Sequence, residues 1–143
     1  MSTRSLIGLK NDVGITYVYC HFDGYLDGVG ITLVKNYDTE DKVKALLEKG
    51  DMSSLGDNID TCDFYNEDDS KAFTLTGHGE GLKDVYYKHG QNCWADYVYL
   101  FEDGKWYYTF EKCKAINGDL VYEPAQWELV TEGLDKLRKR NEE

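Results

Sequence analysis

Positive charge is in short supply in this 143-residue chain: 16 Lys and Arg stand against 27 Asp and Glu, a formal net charge of −11. That balance excludes the usual kind of phosphate-backbone binder, which needs a basic face. Apolar runs are short, so no stretch reaches membrane-spanning length. The opening "MSTRSLIGLKN" lacks the apolar segment of a signal peptide, which leads to the expectation of a cytosolic protein. The four cysteines, at 20, 62, 93 and 113, make no CxxC pair and no zinc-ribbon spacing, and reduced thiols are expected. HExxH, a His pair at i, i+4, the EF-hand spacing, the P-loop Lys-Ser/Thr and a nucleophile elbow are all missing. No motif asks for a cofactor or a metal.

What is present is a globular composition, 41% hydrophobic and 14% aromatic, of a length that suits one domain over residues 1–143. Twelve tyrosines and three tryptophans must be largely core, with a remainder fit to line a binding face. The charge is unevenly placed. Residues 51–103 hold three basic and twelve acidic groups, so they carry most of the negative field, with Glu67, Asp68 and Asp69 at its centre. Such a field attracts basic partners and repels nucleic acid.

Along the chain, "RSLIGLK" and "ITYVYCHF" predict an N-terminal hairpin about an Asn/Asp/Gly turn. Alternation in the second strand puts Val18, Cys20 and Phe22 on a core face. Tyr17, Tyr19 and His21 fall on the other, either a second packed layer or a ligand-facing surface. Val29, Leu33 and Tyr37 predict a short helix. "DTEDKVKALLEKGD" predicts a second, with Asp38 or Thr39 as N-cap and Lys49-Gly50 as stop. Residues 51–93 read as loops, with strands expected near 72–76 and 84–88. "DYVYLFEDGKWYYTFEK" predicts a hairpin whose aromatic rows, Tyr97, Tyr99, Phe101 and Trp106, Tyr108, Phe110, meet across the strands. "INGD" is a further turn. A last helix is expected from Pro124, with Trp127, Val130, Leu134 and Leu137 as its apolar stripe. The resulting class is α+β, an antiparallel sheet from two hairpins with two or three packed helices.

The stretch "CHFDGYLDGVG" concentrates candidate chemistry. His21 with Asp23 and Asp27 offers too few convergent ligands for a metal, even if His78 or His89 joined them. A His21–Asp23 dyad, or a nucleophile at Cys20 or Cys93, would serve catalysis. The amides of "DGVG" at a helix start would bind an anion. Arg4 would add a cation, and Tyr17, Tyr19, Tyr25 and Trp94 would stack a base. The plain alternative is that Gly24, Gly28 and Gly30 only relieve strain in a tight turn.

These segments also carry a likeness. Ser2-Thr3-Arg4, His21-x-Asp23-Gly24-Tyr25 and Trp94-x-Asp96-Tyr97 resemble motifs of a family of small bacteriophage and bacterial proteins. The likeness spans residues 1–57 and 93–108. It implies a phage accessory protein that counters host defence, and it implies no catalytic residue. Two expectations follow. The first is a non-catalytic protein that sequesters a nucleotide immune signal of the host through Arg4, Tyr19, His21, Asp23, Tyr25, Trp94 and Asp96. The second is an acidic nucleic-acid mimic, of the anti-CRISPR or anti-restriction type, that occludes a basic host surface through Glu67, Asp68 and Asp69. A His21-dependent enzyme stands third. A homo-oligomer would double a pocket placed on its two-fold axis. Neither reading calls for direct nucleic-acid or membrane contact.

Overall fold

The computed structural model describes residues 3–65, 70–110, 113–122 and 125–142. The expected first hairpin forms from β1 (Ser5–Lys10) and β2 (Gly14–Cys20), which pair antiparallel from Ser5 opposite Cys20 to Lys10 opposite Ile15. Asn11 makes the turn: its side-chain oxygen accepts from the amides of Val13 and Gly14 at 2.9 and 3.2 Å. The second hairpin is β6 (Tyr97–Glu102) with β7 (Lys105–Phe110). Its two-residue turn has Asp103 at φ 52° and Gly104 at φ 79°, the pair of left-handed residues that matches strand twist. The aromatic rows do meet, with Tyr97 opposite Phe110, Tyr99 opposite Tyr108 and Phe101 opposite Trp106. Asn117 and Gly118 form the "INGD" turn between β8 (Cys113–Ile116) and β9 (Asp119–Tyr122), which pair only with each other.

The two hairpins join in one sheet, as an α+β fold requires, but the sheet is mixed rather than antiparallel. β1 and β6 lie side by side and parallel, with Ser5 opposite Tyr97. The path runs β10 (Glu128–Leu129), β7, β6, β1, β2, β3 (Met52–Ser54), β4 (Asp63–Phe64). The parallel β1–β6 contact is possible because a long crossover carrying helices separates them. β5 (Phe73–Thr76) shares the outer edge of β2 with β3, pairing antiparallel with Gly14 to Tyr17 while β3 takes Cys20.

Helices cover both faces. On one side lie a π-helical turn (Leu26–Gly30), α1 (Ile31–Asn36), α2 (Glu40–Glu48) and α4 (Val130–Glu142). They pack Leu33, Tyr37, Val43, Leu46 and Val130 against Ile7, Val18, Tyr99 and Phe101. On the other side α3 (Glu80–Asn92) sets Leu82, Tyr86 and Tyr87 against Leu6, Ile15, Val98 and Leu100. Neighbouring strand residues such as Leu6 and Ile7 therefore serve different cores, and each fully buried side chain of this size contributes roughly 1.5–3 kcal/mol. Thr39 caps α2 as expected, its hydroxyl accepting from the Lys42 amide, and Gly50 ends the segment at φ 87°.

Three expectations are corrected. Residues 84–88 are helical, within α3, although Val85, Tyr86 and Tyr87 favour strands. Packing decides this: Leu82 and Tyr86 stand one turn apart on the buried face. Gly90 continues that face so close to the sheet that a Cβ there would lie 2.5 Å from Val98 Cγ2. Much of 51–93 is thus regular structure. The last helix begins at Val130, not at Pro124, which lies outside the described residues. Glu128 and Leu129 instead pair with β7, and Trp127 stacks on Tyr86 in the second core at 6.2 Å. Phe22, expected in the core, is 47% exposed because β2 ends at Cys20.

Candidate functional site

The face of β2 that carries Tyr17 and Tyr19 turns toward the C-terminal half of α3, and beyond the reach of Tyr86 it is only half buried. Two tyrosine–histidine pairs form there. The Tyr17 hydroxyl meets His89 Nδ1 at 2.8 Å, and the Tyr19 hydroxyl meets His21 Nδ1 at 2.8 Å. Burial raises the pKa of both phenols. They stay protonated at neutral pH, able to donate to imidazole.

Rings continue on either side. Phe73, from β5, lies 5.8 Å from Tyr17 and 6.0 Å from His89, and Phe22 meets His21 edge-on at 4.6 Å. Both phenylalanines are exposed. The result is an aromatic–imidazole surface that runs from Phe73 to Phe22 along β2.

Asp51 organises this surface, and the sequence gives little warning of it. Between β5 and β3 the edge of β2 has a gap, and the Asp51 carboxylate fills it by accepting from the Tyr19 amide at 2.8 Å. Its backbone is anchored by Asp51 N–H donating to the Ser70 carbonyl and by the Asp51 carbonyl accepting from Tyr65. Its charge, after burial, also pushes up the Cys93 thiol at the end of α3 and contributes to the raised Tyr17 hydroxyl. Arg4 is the cation of the group. Burial raises the Tyr19 hydroxyl, and the nearby guanidinium opposes that rise. The Arg4 backbone is joined to the backbone and the carboxylate of Asp96. The Arg4 amide donates to Asp96 Oδ2 at 3.2 Å, and the Asp96 amide donates to the Arg4 carbonyl at 2.8 Å.

The seven residues singled out from sequence therefore divide. Arg4, Tyr19, His21 and Asp96 belong to the α3 side of the sheet, where Tyr17, Asp51, Tyr65, His89 and Cys93 join them. Trp94 sits just past α3 with φ 61° and is 78% exposed. Asp23 and Tyr25 form a separate pair, the tyrosine hydroxyl donating to Asp23 Oδ1 at 3.1 Å, and Tyr25 looks into the cleft under α4. His21 takes Tyr19 as partner, while Asp23 takes Tyr25. Glu67, Asp68 and Asp69 lie outside the described residues.

The "DGVG" anion site is also corrected. The Gly28 and Val29 amides donate to the Tyr25 and Asp23 carbonyls at 2.9 and 2.8 Å, so the turn consumes its own donors. Left-handed backbone falls on Asp23, at φ 59°, and not on the glycines. Gly24 and Gly28 serve close approach. A Cβ on Gly24 would lie 2.8 Å from the Thr3 carbonyl, and one on Gly28 2.3 Å from that of Asp23.

Nucleophilic chemistry gains no support from Cys20 or Cys93, the two candidate thiols. Burial pushes Cys20 up to about 12 and also raises Cys93, so neither holds an appreciable thiolate at neutral pH. Among the described residues no three His, Cys, Asp or Glu side chains converge as a metal site requires. No helix of the described residues is long and apolar enough to cross a membrane.

No protein-family model, curated protein or solved structure matches the chain. The functional reading therefore rests on the site's own chemistry.

Proposed function

We propose that the chain is a non-catalytic binding protein for a small nucleotide-like ligand, held on the aromatic–histidine face of β2 and α3. The observation that carries the reading is the pair of 2.8 Å tyrosine–histidine contacts, with the Arg4 guanidinium near Tyr19 and exposed rings at either end. Exposed aromatics stack a base whatever its identity, typically for 1–3 kcal/mol per base. A guanidinium offers a planar, always-charged fork that fits phosphate. The imidazoles, oriented through Nδ1, present polar edges in the same surface. A net charge of −11 does not prevent this, because a small ligand responds chiefly to the groups it touches and distant exposed charges are screened beyond about 8 Å at physiological salt. Neutral thiols and phenols favour binding over turnover. In the setting that the phage resemblance implies, the protein would withdraw a host nucleotide signal from its receptor.

The test is calorimetric titration of the protein with cyclic di- and trinucleotides. A saturable heat with one of them is expected, reduced at least tenfold by Arg4→Ala and by His21→Ala with circular dichroism unchanged. Absence of heat with every nucleotide overturns the proposal. So does salt-sensitive binding to a basic protein that Arg4→Ala leaves intact, which is the behaviour of an acidic mimic.

A further inference from the structure

A cleft of about 640 Å³ opens on the opposite side of the sheet, where α4 lies over β7. Its size falls within the range of small-molecule sites. One wall is aromatic: Tyr97 and Phe110 are paired across the hairpin with ring centres 6.2 Å apart, and Tyr25, just before the π-helical turn, also lines the cleft. Phe110 and Tyr25 each keep 40% of their surface exposed.

The polar groups of this cleft fall into two sets. Glu128 accepts from Lys136 Nζ at 2.5 Å and from the Tyr108 hydroxyl at 2.7 Å, so this charge pair is matched within the protein. Asp27 and Arg140 also line the cleft, and among the described residues neither has an ion pair. One carboxylate and one guanidinium are thus left facing an aromatic slot.

We infer that this cleft binds a small aromatic zwitterion, the chemistry of a free aromatic amino acid, with its ring on Tyr97 and Phe110, its ammonium on Asp27 and its carboxylate on Arg140. Charge matching selects this class. A phosphate dianion would find one unmatched cation and would face the Asp27 carboxylate, whereas a zwitterion meets one group of each sign. The site is independent of the one proposed on β2 and α3, since no residue that defines it belongs to that surface.

The experiment is calorimetry with L-tryptophan and L-phenylalanine, each compared with its amine lacking the carboxylate and its propionate lacking the ammonium, and with adenosine monophosphate. At least one amino acid is expected to bind saturably, with its amine and its propionate at least tenfold weaker. Arg140→Gln should weaken the amino acid at least tenfold and leave the amine unchanged. Asp27→Asn should do the same with the propionate as the unaffected ligand, and Arg4→Ala should change nothing. Failure of both amino acids to bind overturns the inference. So does equal binding of an analogue, or adenosine monophosphate binding more tightly than the amino acid to the Arg4→Ala protein, in which the β2–α3 site is disabled.

Discussion

At the scale of single residues, half-buried polar groups hold distant segments together. Glu102, at the end of β6, takes Lys10 of β1 on Oε2 and Lys83 of α3 on Oε1, both at 2.7 Å, and thereby ties the central strands to the helix above them. Burial would raise its carboxyl, but the two lysines outweigh that and hold it below the ordinary glutamate value. A depressed folded pKa contributes stability that is complete above the unfolded value, near 4.3, and is lost as pH falls through the lower folded value. Glu102→Gln is therefore expected to cost about 1–2 kcal/mol at pH 7 and far less at pH 3. Urea titrations at the two pH values check this, and an equal loss at both would remove the ion pairs as its cause. Asp51 works in the same way at the site, since one carboxylate supplies an edge acceptor to β2 and sets the charge around Tyr17 and Cys93.

At the scale of elements, α4 depends on one glycine. A Cβ at Gly133 would fall 2.6 Å from the Tyr108 hydroxyl and 2.7 Å from Leu26 Cδ2, contacts too short to absorb without moving the helix or the tyrosine. Gly133→Ala, a substitution that raises helix propensity, is nonetheless expected to destabilise by about 1–3 kcal/mol through overpacking. A shift of the urea midpoint to lower concentration checks it, and an unchanged or higher midpoint would show that α4 does not seat on Tyr108 as described.

Elements also show what the sequence makes legible. Both hairpins, α2 and the paired aromatic rows follow from local signals: alternation, Asn/Asp-Gly turns and a Thr cap. The path of α3 does not, because Val85, Tyr86 and Tyr87 look like a strand until Leu82, Tyr86 and Gly90 find the sheet. The entry to α4 misleads in the opposite sense. Trp127 keeps helical spacing with Val130, yet it packs on Tyr86 in the other core. The mixed sheet was likewise out of reach, since the parallel contact of β1 with β6 joins residues some ninety positions apart. For the site, Tyr19, His21 and Arg4 were marked by type and pattern. His89 enters the sequence reading only as a possible metal ligand beside His21, and Asp51 does not enter it, because only the outer edge of β2 and the end of α3 bring them in.

At the scale of the molecule, the main eight-stranded sheet carries helices on both faces, with the β8–β9 pair apart from it, and the two candidate sites lie on opposite faces. Arg4, the tyrosine–histidine pairs and the exposed rings occupy the α3 side, while the zwitterion cleft lies under α4. That separation makes the central claim directly measurable by amide and imidazole nitrogen–proton correlation spectra of the labelled protein, recorded as the best-binding cyclic nucleotide is added. Perturbations confined to residues 4, 17–22, 51, 65, 73 and 89–94 are the predicted result. A spectrum that does not change, or one that moves only Tyr25, Tyr97, Phe110 and α4, contradicts the account.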